Sequence, residues 1–293
     1  MKTLGLDLGG TKIAAAVVED GQILSRKQAK TPQTGLDDVV DALVNLSNDL
    51  LAKHHDVSAL GVGVPGPLDF KNGRIRFTPN IAGLEDAPIV SLLEKRLDLK
   101  VVLENDANAA GFAEHKYGAA TEFDSSLYIT ISTGIGGGLF IDDTVIRGGN
   151  GITGEIGHMT VMPHGPLCGC GQLGCWEALA SGRAIAKEGT FSYGENLSTQ
   201  QVFERARAGE RKALMVIDNA AYFMGIGIAN LQKIFDPHVF VIGGGMSQVG
   251  DFYLDKIKAY TTRFNEGFPP SSIRVAELGT DAGVIGAAAV AGL

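Results

Sequence analysis

The first hydrophobic stretch of the chain is Leu4–Val18, with the sequence LGLDLGGTKIAAAVV. Gly9-Gly10 separates its two apolar halves, and this pattern predicts two strands joined by a tight turn. Asp20-Gly21 marks a second turn, which leads into a third predicted strand over Gln22–Lys30. The chain therefore opens with a three-stranded β-meander around a glycine turn.

Helical and strand-like segments follow this opening. Leu36–Leu51 carries leucine and valine at helical spacing, with aspartates near its N-terminal end, and predicts an amphipathic helix. Leu60–Val64 predicts a short strand. A helix over Ile89–Leu97 and a strand over Lys100–Leu103 come next, and a further helix ends near Gly118.

The second half of the chain begins in a similar way. A strand over Ser126–Ser132 leads into the glycine-rich turn Thr133–Gly138 and a strand over Leu139–Ile141. This similarity indicates an ancient duplication, and we place the boundary between two domains near Tyr117–Phe123. The remaining predicted elements are a helix over Arg211–Phe235, a strand over His238–Ile242, a helix over Phe252–Phe264, a strand over Arg274–Leu278 and a final helix of small residues.

Composition and charge exclude several classes of protein. Forty of the 293 residues are glycine without a Gly-X-Y period, which excludes collagen and indicates many tight turns. The formal net charge is −8, and the lack of a basic cluster argues against binding to nucleic acid or to an anionic membrane surface. The sequence lacks an uninterrupted apolar run of the ~18 residues that a membrane span needs. Asp7 interrupts the first hydrophobic run, unlike in a signal peptide, so we expect a cytoplasmic protein.

The first glycine turn, Asp7-Leu8-Gly9-Gly10-Thr11-Lys12, is a candidate phosphate-binding loop. Adjacent glycines allow backbone N–H groups to approach a phosphate closely, and the threonine offers a hydroxyl donor. The aspartate that precedes them can hold Mg²⁺ through water. An ordinary hairpin turn explains the same residues, and the Gly-x4-Gly-Lys-Ser/Thr spacing of a Walker A loop is missing.

Two further glycine turns, Thr133–Gly138 and Gly243–Gly245, also follow predicted strands. A nucleotide needs several contacts with the backbone. The three turns together therefore favour nucleotide binding over the alternative that they only connect strands. Gly61–Gly66 fits the pattern G-x-G-x-x-G, but Pro65 and Pro67 argue against the helix that a dinucleotide fingerprint requires. The sequence therefore argues against NAD binding.

A group of polar residues, Glu104-Asn105-Asp106, follows a predicted strand and begins a predicted helix. Catalytic groups of α/β proteins gather at such strand ends, and Asp106 can accept a hydroxyl proton as a general base. The alternative is that Asp106 serves only as the N-cap of the helix, which is the simpler interpretation for this residue in isolation.

The cysteines and one histidine give the most specific pattern in the chain, with the spacing H-x9-C-x-C-x4-C. Three thiolates and one imidazole complete a tetrahedral structural Zn²⁺ site, and a metal-free thiol cluster is the alternative. Glu155 and Glu177 flank these ligands, and such carboxylates can accept hydrogen bonds from neighbouring sugar hydroxyls. The four predicted ligands are His158, Cys168, Cys170 and Cys175.

Taken in order, these motifs resemble those of the ROK family (repressors, open reading frames, kinases). The resemblance rests on Asp7–Lys12, Glu104–Asp106, Gly154–His158 and Cys168–Glu177, which together extend over nearly the whole chain. The cysteine segment with its upstream Gly-His is highly specific. The DxGGT element is less so, because variants of it occur across the sugar kinase and actin superfamily.

The resemblance implies an α/β, two-domain, actin-like ATPase (ribonuclease H-like) fold, with sugar and nucleotide bound in the cleft between the domains. It places residues 1–118 and 280–293 in the N-terminal domain, to which the last helix, Ala282–Ala291, returns. Residues 119–279 form a C-terminal domain that carries the zinc loop. The resemblance also implies phosphorylation of a hexose 6-hydroxyl by MgATP, and kinases of the family are commonly homodimers or larger.

The resemblance assigns roles to individual residues as well. Asp106 is the expected general base, and His158 is expected to act twice, with one ring nitrogen on zinc and the other facing the sugar. The expected sugar-binding residues are Asn80, Asn105, Glu155, His158 and Glu177. The expected nucleotide- and phosphate-binding residues are Asp7, Gly9, Gly10, Thr11, Lys12, Thr133, Gly134, Gly136 and Gly244.

The sequence thus predicts a zinc-containing, ATP- and Mg²⁺-dependent sugar kinase, most consistent with a glucokinase. Repressors of the family carry a helix-turn-helix before the first glycine turn, which here begins at residue 7, so we expect the kinase branch. Kinases for N-acetylmannosamine, N-acetylglucosamine, fructose or mannose are one alternative, and a non-catalytic sugar sensor is another. The intact phosphate turns and Asp106 argue against the sensor, whereas the choice between ATP and polyphosphate stays open.

Overall fold

The chain forms two compact units in the computed structural model, which describes residues 1–78 and 80–293. The first unit comprises Met1–Glu122, Gly138–Thr153 and Glu277–Leu293. The second comprises Phe123–Gly137 and Gly154–Ala276. Residues 138–153 therefore group with the first unit, whereas the sequence analysis placed them in the C-terminal domain. Strands and helices are numbered separately in chain order.

Five strands of the first unit form one sheet, and two short strands form a separate hairpin. Their bounds are β1 Lys2–Leu8, β2 Lys12–Glu19, β3 Gln22–Lys30, β4 Ala59–Val64, β5 Leu68–Asp69, β6 Arg74–Ile75 and β7 Lys100–Asn105. The sheet has the order β3-β2-β1-β4-β7, with β1, β2 and β3 antiparallel and β4 and β7 parallel to β1. The predicted meander is thus present at one side of a mixed sheet.

Four helices pack against this sheet. They are α1 Leu36–Leu51, α2 Ile89–Leu97, α3 Asp106–Tyr117 and α9 Ala282–Ala291. The apolar face of α1, including Val39, Leu43 and Leu50, is buried in a core shared with β1 and β4. The last helix consists of small and branched apolar residues, so it packs closely on α3 and on β1. These packed helices hold the carboxyl ends of β1 and β7 in place.

The second sheet has the order β10-β9-β8-β11-β12. Its strands are β8 Ser125–Ile131, β9 Ile135–Ile141, β10 Thr144–Val145, β11 Val239–Gly243 and β12 Ile273–Val275. Here β11 runs parallel to both β8 and β12. When the strands of each sheet are numbered from 1 to 5 along the chain, both sheets have the order 3-2-1-4-5. A duplication of one ancestral unit would produce two sheets of the same order.

The second glycine turn is shorter than the sequence analysis predicted. Gly136 and its two following glycines lie within β9, and the turn is confined to the residues between Ile131 and Ile135. A Cβ on Gly137 would lie 2.5 Å from the side chain of Ile156, so glycine is needed there for close packing within a strand. The prediction of a turn over Thr133–Gly138 was wrong for this physical reason. The last strand is also shorter than the predicted Arg274–Leu278.

Helices dominate the rest of the second unit. They are α4 Glu177–Ala180, α5 Gly182–Tyr193, α6 Thr199–Arg207, α7 Arg211–Phe235 and α8 Asp251–Phe264. Within the part of the chain that is described, α7 is the one helix long and apolar enough to cross a membrane, and 61% of its most apolar window is buried in the protein. The indole N–H of Trp176 donates to the Phe223 carbonyl of α7 at 2.9 Å, a contact typical of a core helix.

Candidate active site

The turn between β1 and β2 is held by backbone and side-chain hydrogen bonds. The amide of Gly9 donates to the carbonyl of Lys12 at 3.0 Å, which closes the turn. The hydroxyl of Thr31 donates to the carbonyl of Gly9 at 2.6 Å. The side chains of Thr11 and Lys12 are exposed. The turn therefore presents a hydroxyl and an ammonium group from a fixed backbone.

Asn80 lies directly beside this turn. A Cβ on Gly10 would lie 2.9 Å from the Cβ of Asn80, and the asparagine side chain is exposed. The structure therefore brings a predicted sugar-binding residue next to a predicted phosphate-binding glycine, although 70 positions separate them in the sequence.

Asp7 is a half-buried carboxylate near the end of β1. Burial, followed by the negative charge of Asp106, raises its pKa from 3.8 to about 6, against the smaller opposing effect of Lys12. Gly283 of α9 packs against it, since a Cβ there would lie 2.7 Å from the Asp7 Oδ2 atom. Two carboxylates thus influence each other in the first unit. A shared negative potential of this kind favours a divalent cation with oxygen ligands.

Asp106 is the first residue of α3, but it is not the helix N-cap. The side-chain oxygen of Asn105 caps the helix by accepting hydrogen bonds from the amides of Ala107 and Asn108 at 2.9 and 3.2 Å. The Asp106 carboxylate accepts from the Ala107 amide at 2.8 Å. The alternative that Asp106 serves only as the cap is therefore wrong, because its neighbour occupies that position.

The four predicted zinc ligands lie together in the second unit. Their ligand atoms are all within 4.8 Å of one another. The Nδ1 atom of His158 lies 3.6 Å from the Cys168 sulfur, and the sulfurs of Cys170 and Cys175 are also 3.6 Å apart. One imidazole and three thiols at these separations fit the donor set of a closed tetrahedral Zn²⁺ site.

The two ring nitrogens of His158 face different groups. While Nδ1 faces the cysteine sulfurs, Nε2 lies 3.8 Å from a carboxylate oxygen of Glu155. Glu155 is exposed and precedes the 3₁₀ turn Ile156–His158. The ring geometry is therefore compatible with one nitrogen on a metal and the other beside a polar ligand.

The three thiols have different pKa values. Burial raises the pKa of Cys175 to about 12 and also raises that of Cys168, whereas a backbone hydrogen bond from Gln172 lowers that of Cys170. A bound divalent metal favours the thiolate form of every ligand and offsets the cost of burial.

Glu177, at the start of α4, contacts the turn between β8 and β9. Its Oε2 atom accepts a hydrogen bond from the Ile135 amide at 3.0 Å, and its Oε1 atom lies 4.0 Å from the Cys168 sulfur. A Cβ on Gly134 would lie 2.2 Å from Oε2, so only glycine allows this approach. Glu177 therefore joins the predicted phosphate turn to the cysteine cluster.

A cavity of about 620 Å³ opens beside Thr133 in the second unit. Thr133 lines it, as do Gly245 and Met246, whereas the predicted Gly244 does not. Gly244 has a φ of 78° and directly precedes these residues, so its role is to set the turn. The other lining residues include Arg183, Gln200, Phe203, Arg207 and Gln248.

Sequence reasoning missed this second group of lining residues. They come from α5, α6 and the 3₁₀ turn Gly245–Val249, where the sequence has helical periodicity but no motif. One local sequence signal was available for Arg183, because it lies two positions after Ser181, the N-cap of α5. The Ser181 hydroxyl accepts a hydrogen bond from the Ala184 amide at 3.2 Å. A helix N-terminus next to a glycine turn is a feature common in phosphate sites.

Comparison with known proteins decides the family. The chain matches the ROK family over residues 3–292. It is 37% identical to a glucokinase of Streptomyces coelicolor, over 99% of this chain and 97% of that protein. This chain belongs to the ROK family. The ROK chain is also 35% identical to an N-acetylmannosamine kinase of Haemophilus influenzae, over 98% of this chain and 94% of that protein.

Solved structures agree with this assignment. A ROK hexokinase from Thermus thermophilus is 45% identical, with a TM-score of 0.94, and covers 99% of this chain and 98% of its own. A ROK family glucokinase from Streptomyces griseus, solved with glucose and AMPPNP, is 37% identical with a TM-score of 0.84 and covers 99% of both chains. The predicted ROK membership and actin-like ATPase fold are confirmed.

Proposed function

We propose that this ROK protein is a glucokinase that transfers the γ-phosphoryl group of MgATP to the 6-hydroxyl of glucose. The predicted enzyme class, an ATP-dependent sugar phosphotransferase, is confirmed by the comparisons. The observation that carries the chemistry is the position of Asp106. It is a carboxylate at the start of α3 whose charge adds to burial in raising the pKa of Asp7 near the end of β1.

In the proposed reaction Asp106 accepts the proton of the sugar 6-hydroxyl. The sugar oxygen then forms a bond to the γ-phosphorus as the bond from that phosphorus to the β-phosphate bridging oxygen breaks, and ADP leaves. Thr11, Lys12 and the amide of Gly10 would hold phosphate oxygens at the first turn, which the Gly9 amide closes through its hydrogen bond to the Lys12 carbonyl. Preorganised donors of this kind stabilise the charge that spreads over the transferred group.

Asp7 would hold Mg²⁺ through water. The fit rests on the carboxylates of Asp7 and Asp106, which influence each other, since burial and the charge of Asp106 raise the pKa of Asp7. Mg²⁺ prefers oxygen donors that carry negative charge. When bound, Mg²⁺ neutralises phosphate charge and orients the nucleotide.

We assign ATP rather than polyphosphate as the donor because of the cavity beside Thr133. Its walls combine the exposed residue Thr133 with the buried side chains of Phe203 and Met246, and its volume of about 620 Å³ accommodates a nucleoside. A polyphosphate chain has no group that uses such an apolar wall. Gly134 and Gly136 would support the same site by keeping the turn and its following strand close to their neighbours.

The residues that we propose to hold the sugar hydroxyls are Asn80, Asn105, Glu155, His158 and Glu177. Carboxylates accept more than one hydrogen bond, and the second ring nitrogen of His158 lies beside Glu155. Zn²⁺ on His158, Cys168, Cys170 and Cys175 would fix this segment, because its own regular structure is a single 3₁₀ turn.

N-acetylmannosamine phosphorylation is the second candidate. It is favoured by the full-length similarity to a kinase for that sugar. Acceptor groups such as Glu155 and Glu177 recognise hydroxyls that many hexoses share, so the residues assigned above serve either substrate.

We also infer a cytoplasmic homodimer. The three cysteines form no disulfide among the described residues, which is typical of a reducing compartment. Large apolar side chains are exposed on helices of the second unit, as at an association surface. The most exposed are Phe191, Met215 and Ile234, at 83%, 63% and 64%.

A coupled ADP-release assay tests the function directly. The purified protein would be assayed with MgATP against glucose, mannose, fructose, N-acetylglucosamine and N-acetylmannosamine, and with polyphosphate in place of ATP. We expect the highest kcat/KM for glucose with ATP. Preferential turnover of N-acetylmannosamine would select the second candidate, and zinc-loaded, folded protein without turnover of any sugar would contradict both.

A further inference from the structure

Glu104 is a charged side chain that the proposed chemistry does not use. It lies at the end of β7, and its side chain is 0% exposed. A carboxylate buried in this way is costly unless all of its acceptor positions are filled. Its surroundings therefore indicate what the residue does.

Each oxygen of the Glu104 carboxylate has two polar contacts. The Oε2 atom accepts a hydrogen bond from Nε of Arg147 at 2.7 Å and lies 2.6 Å from a terminal nitrogen of the same guanidinium. The Oε1 atom accepts from the Asn108 side-chain amide at 2.9 Å and from the Asn105 backbone amide at 3.0 Å. The carboxylate is thus fully satisfied, with the charge of one arginine as its counter-ion.

These bonds hold both sides of Asp106. Asn105 precedes it and Asn108 follows it by two positions, and both donate to the same Glu104 oxygen. The Asn105 side chain in turn caps the first amides of α3. Asp106 therefore begins a helical turn whose backbone position is set by Glu104.

Arg147 is itself held from the opposite side. Its guanidinium lies 5.4 Å from the centre of the Phe70 ring, in the range of a cation–π contact. Its carbonyl accepts from the Thr153 amide at 3.4 Å, which closes the loop after β10. Arg147 therefore fixes Glu104 from a loop 43 positions further along the chain.

We propose that Glu104 and Arg147 form a positioning pair that sets the orientation of Asp106 for proton abstraction. The inference rests on the proposed function of Asp106 as the base. A buried ion pair is often no more stabilising than apolar side chains of the same size, so its main contribution here is geometric. A displacement of a catalytic group by ~1 Å costs about 100-fold in rate.

The test is a double-mutant cycle between Arg147→Met and Asp106→Asn. Methionine keeps the apolar stem but leaves the carboxylate without its counter-ion. We expect Arg147→Met to lower kcat about 10- to 100-fold, with the KM values for sugar and ATP within about threefold. In the Asp106→Asn background the same change should alter kcat by less than about twofold, because the pair acts through Asp106.

Arg74→Met is the matched control. The side chains of Arg74 and Arg147 are similarly exposed, at 32% and 33%, and both lie in the first unit. Arg74 pairs with Asp86, which is 78% exposed, whereas Arg147 pairs with fully buried Glu104. We expect this control to keep the parental kcat. Arg147→Lys keeps one charged donor and should therefore recover part of the kcat that Arg147→Met loses. If Arg147→Met does not fold, Arg147→Lys takes its place in the double-mutant cycle.

Two results would overturn the positioning pair. One is a folded Arg147 variant with parental kcat, and the other is an equal loss of kcat in the parental and Asp106→Asn backgrounds. If instead Asp106→Asn alone retains parental kcat, the proposed base is wrong, and this outcome is distinguishable because it appears before Arg147 is changed.

Discussion

Asp7 combines burial with a neighbouring negative charge, and its ionisation therefore opposes folding. Its pKa is 3.8 in an unfolded chain and about 6 in the folded protein, so the folded state binds the proton more tightly between these values. The stability associated with protonated Asp7 is fully present below pH 3.8 and is lost as the pH rises through about 6. Above that pH the ionised carboxylate lowers the free energy of unfolding by about 3 kcal/mol.

Asp7→Asn should therefore stabilise the metal-free protein at pH 8 by up to about 3 kcal/mol, with a difference that disappears near pH 4. Denaturant unfolding in a chelator, from pH 4 to 8, measures this difference. Asp20→Asn is the matched control, because Asp20 is 88% exposed and its left-handed backbone suits asparagine. A pH-independent difference between Asp7→Asn and the parent would contradict the raised pKa.

Asp106→Asn should lower kcat by about 10²- to 10⁴-fold, because an amide cannot accept the hydroxyl proton. The fold and the affinity for sugar should change little, since the helix cap is Asn105 and the cap remains intact. Steady-state kinetics together with calorimetric sugar binding measures both quantities. Near-parental turnover of the variant would exclude Asp106 as the base.

At the scale of elements, the cysteine segment contains little regular structure. Between β10 and α4 its regular structure is the 3₁₀ turn Ile156–His158, joined by isolated bridges such as Thr160 to Cys175. Its other backbone hydrogen bonds close turns and loops, such as that from the Cys168 amide to the Gln172 carbonyl at 2.8 Å, so we expect bound Zn²⁺ to add to the order of this segment.

Cys170→Ser should lose the zinc and raise the sugar KM about 10-fold or more, because the segment that carries Glu155 and His158 loses its anchor. Elemental analysis and sugar titration are the measurements. Gln172→Ala is the control within the same loop, since the contact of Gln172 with Cys168 is through its backbone carbonyl. A parental protein purified without zinc, or a variant with parental sugar KM, would contradict this role.

For the whole molecule, the exposed apolar side chains of the second unit predict association. Light scattering coupled to size-exclusion chromatography should give twice the chain mass of 30.7 kDa over the concentration range of the assay. A mass of one chain at every concentration would exclude the homodimer. The kinase activity itself does not depend on this outcome, because the proposed base and the cavity beside Thr133 each lie within one chain.

Features whose cause is local could be predicted from the sequence. The β1–β2 turn follows from Gly9-Gly10, the last helix has the predicted bounds Ala282–Ala291, and the spacing of Cys168–Cys175 predicted that its thiols lie together with His158. In each case neighbouring residues supply the turn, the helical face or the donor atoms. The sequence was misleading where a glycine serves packing instead of turning, as at Gly137 in β9.

The sequence by itself therefore determined the family, the order of the elements and the chemical types of the candidate site residues. Only the tertiary structure decided which distant residues meet, such as Gly10 with Asn80 and Glu104 with Arg147. It also decided the raised pKa of Asp7 and the cavity lined by α5 and α6. The physical reason is that desolvation, charge pairing and cavity shape depend on the path of the chain through space, which short sequence motifs do not encode.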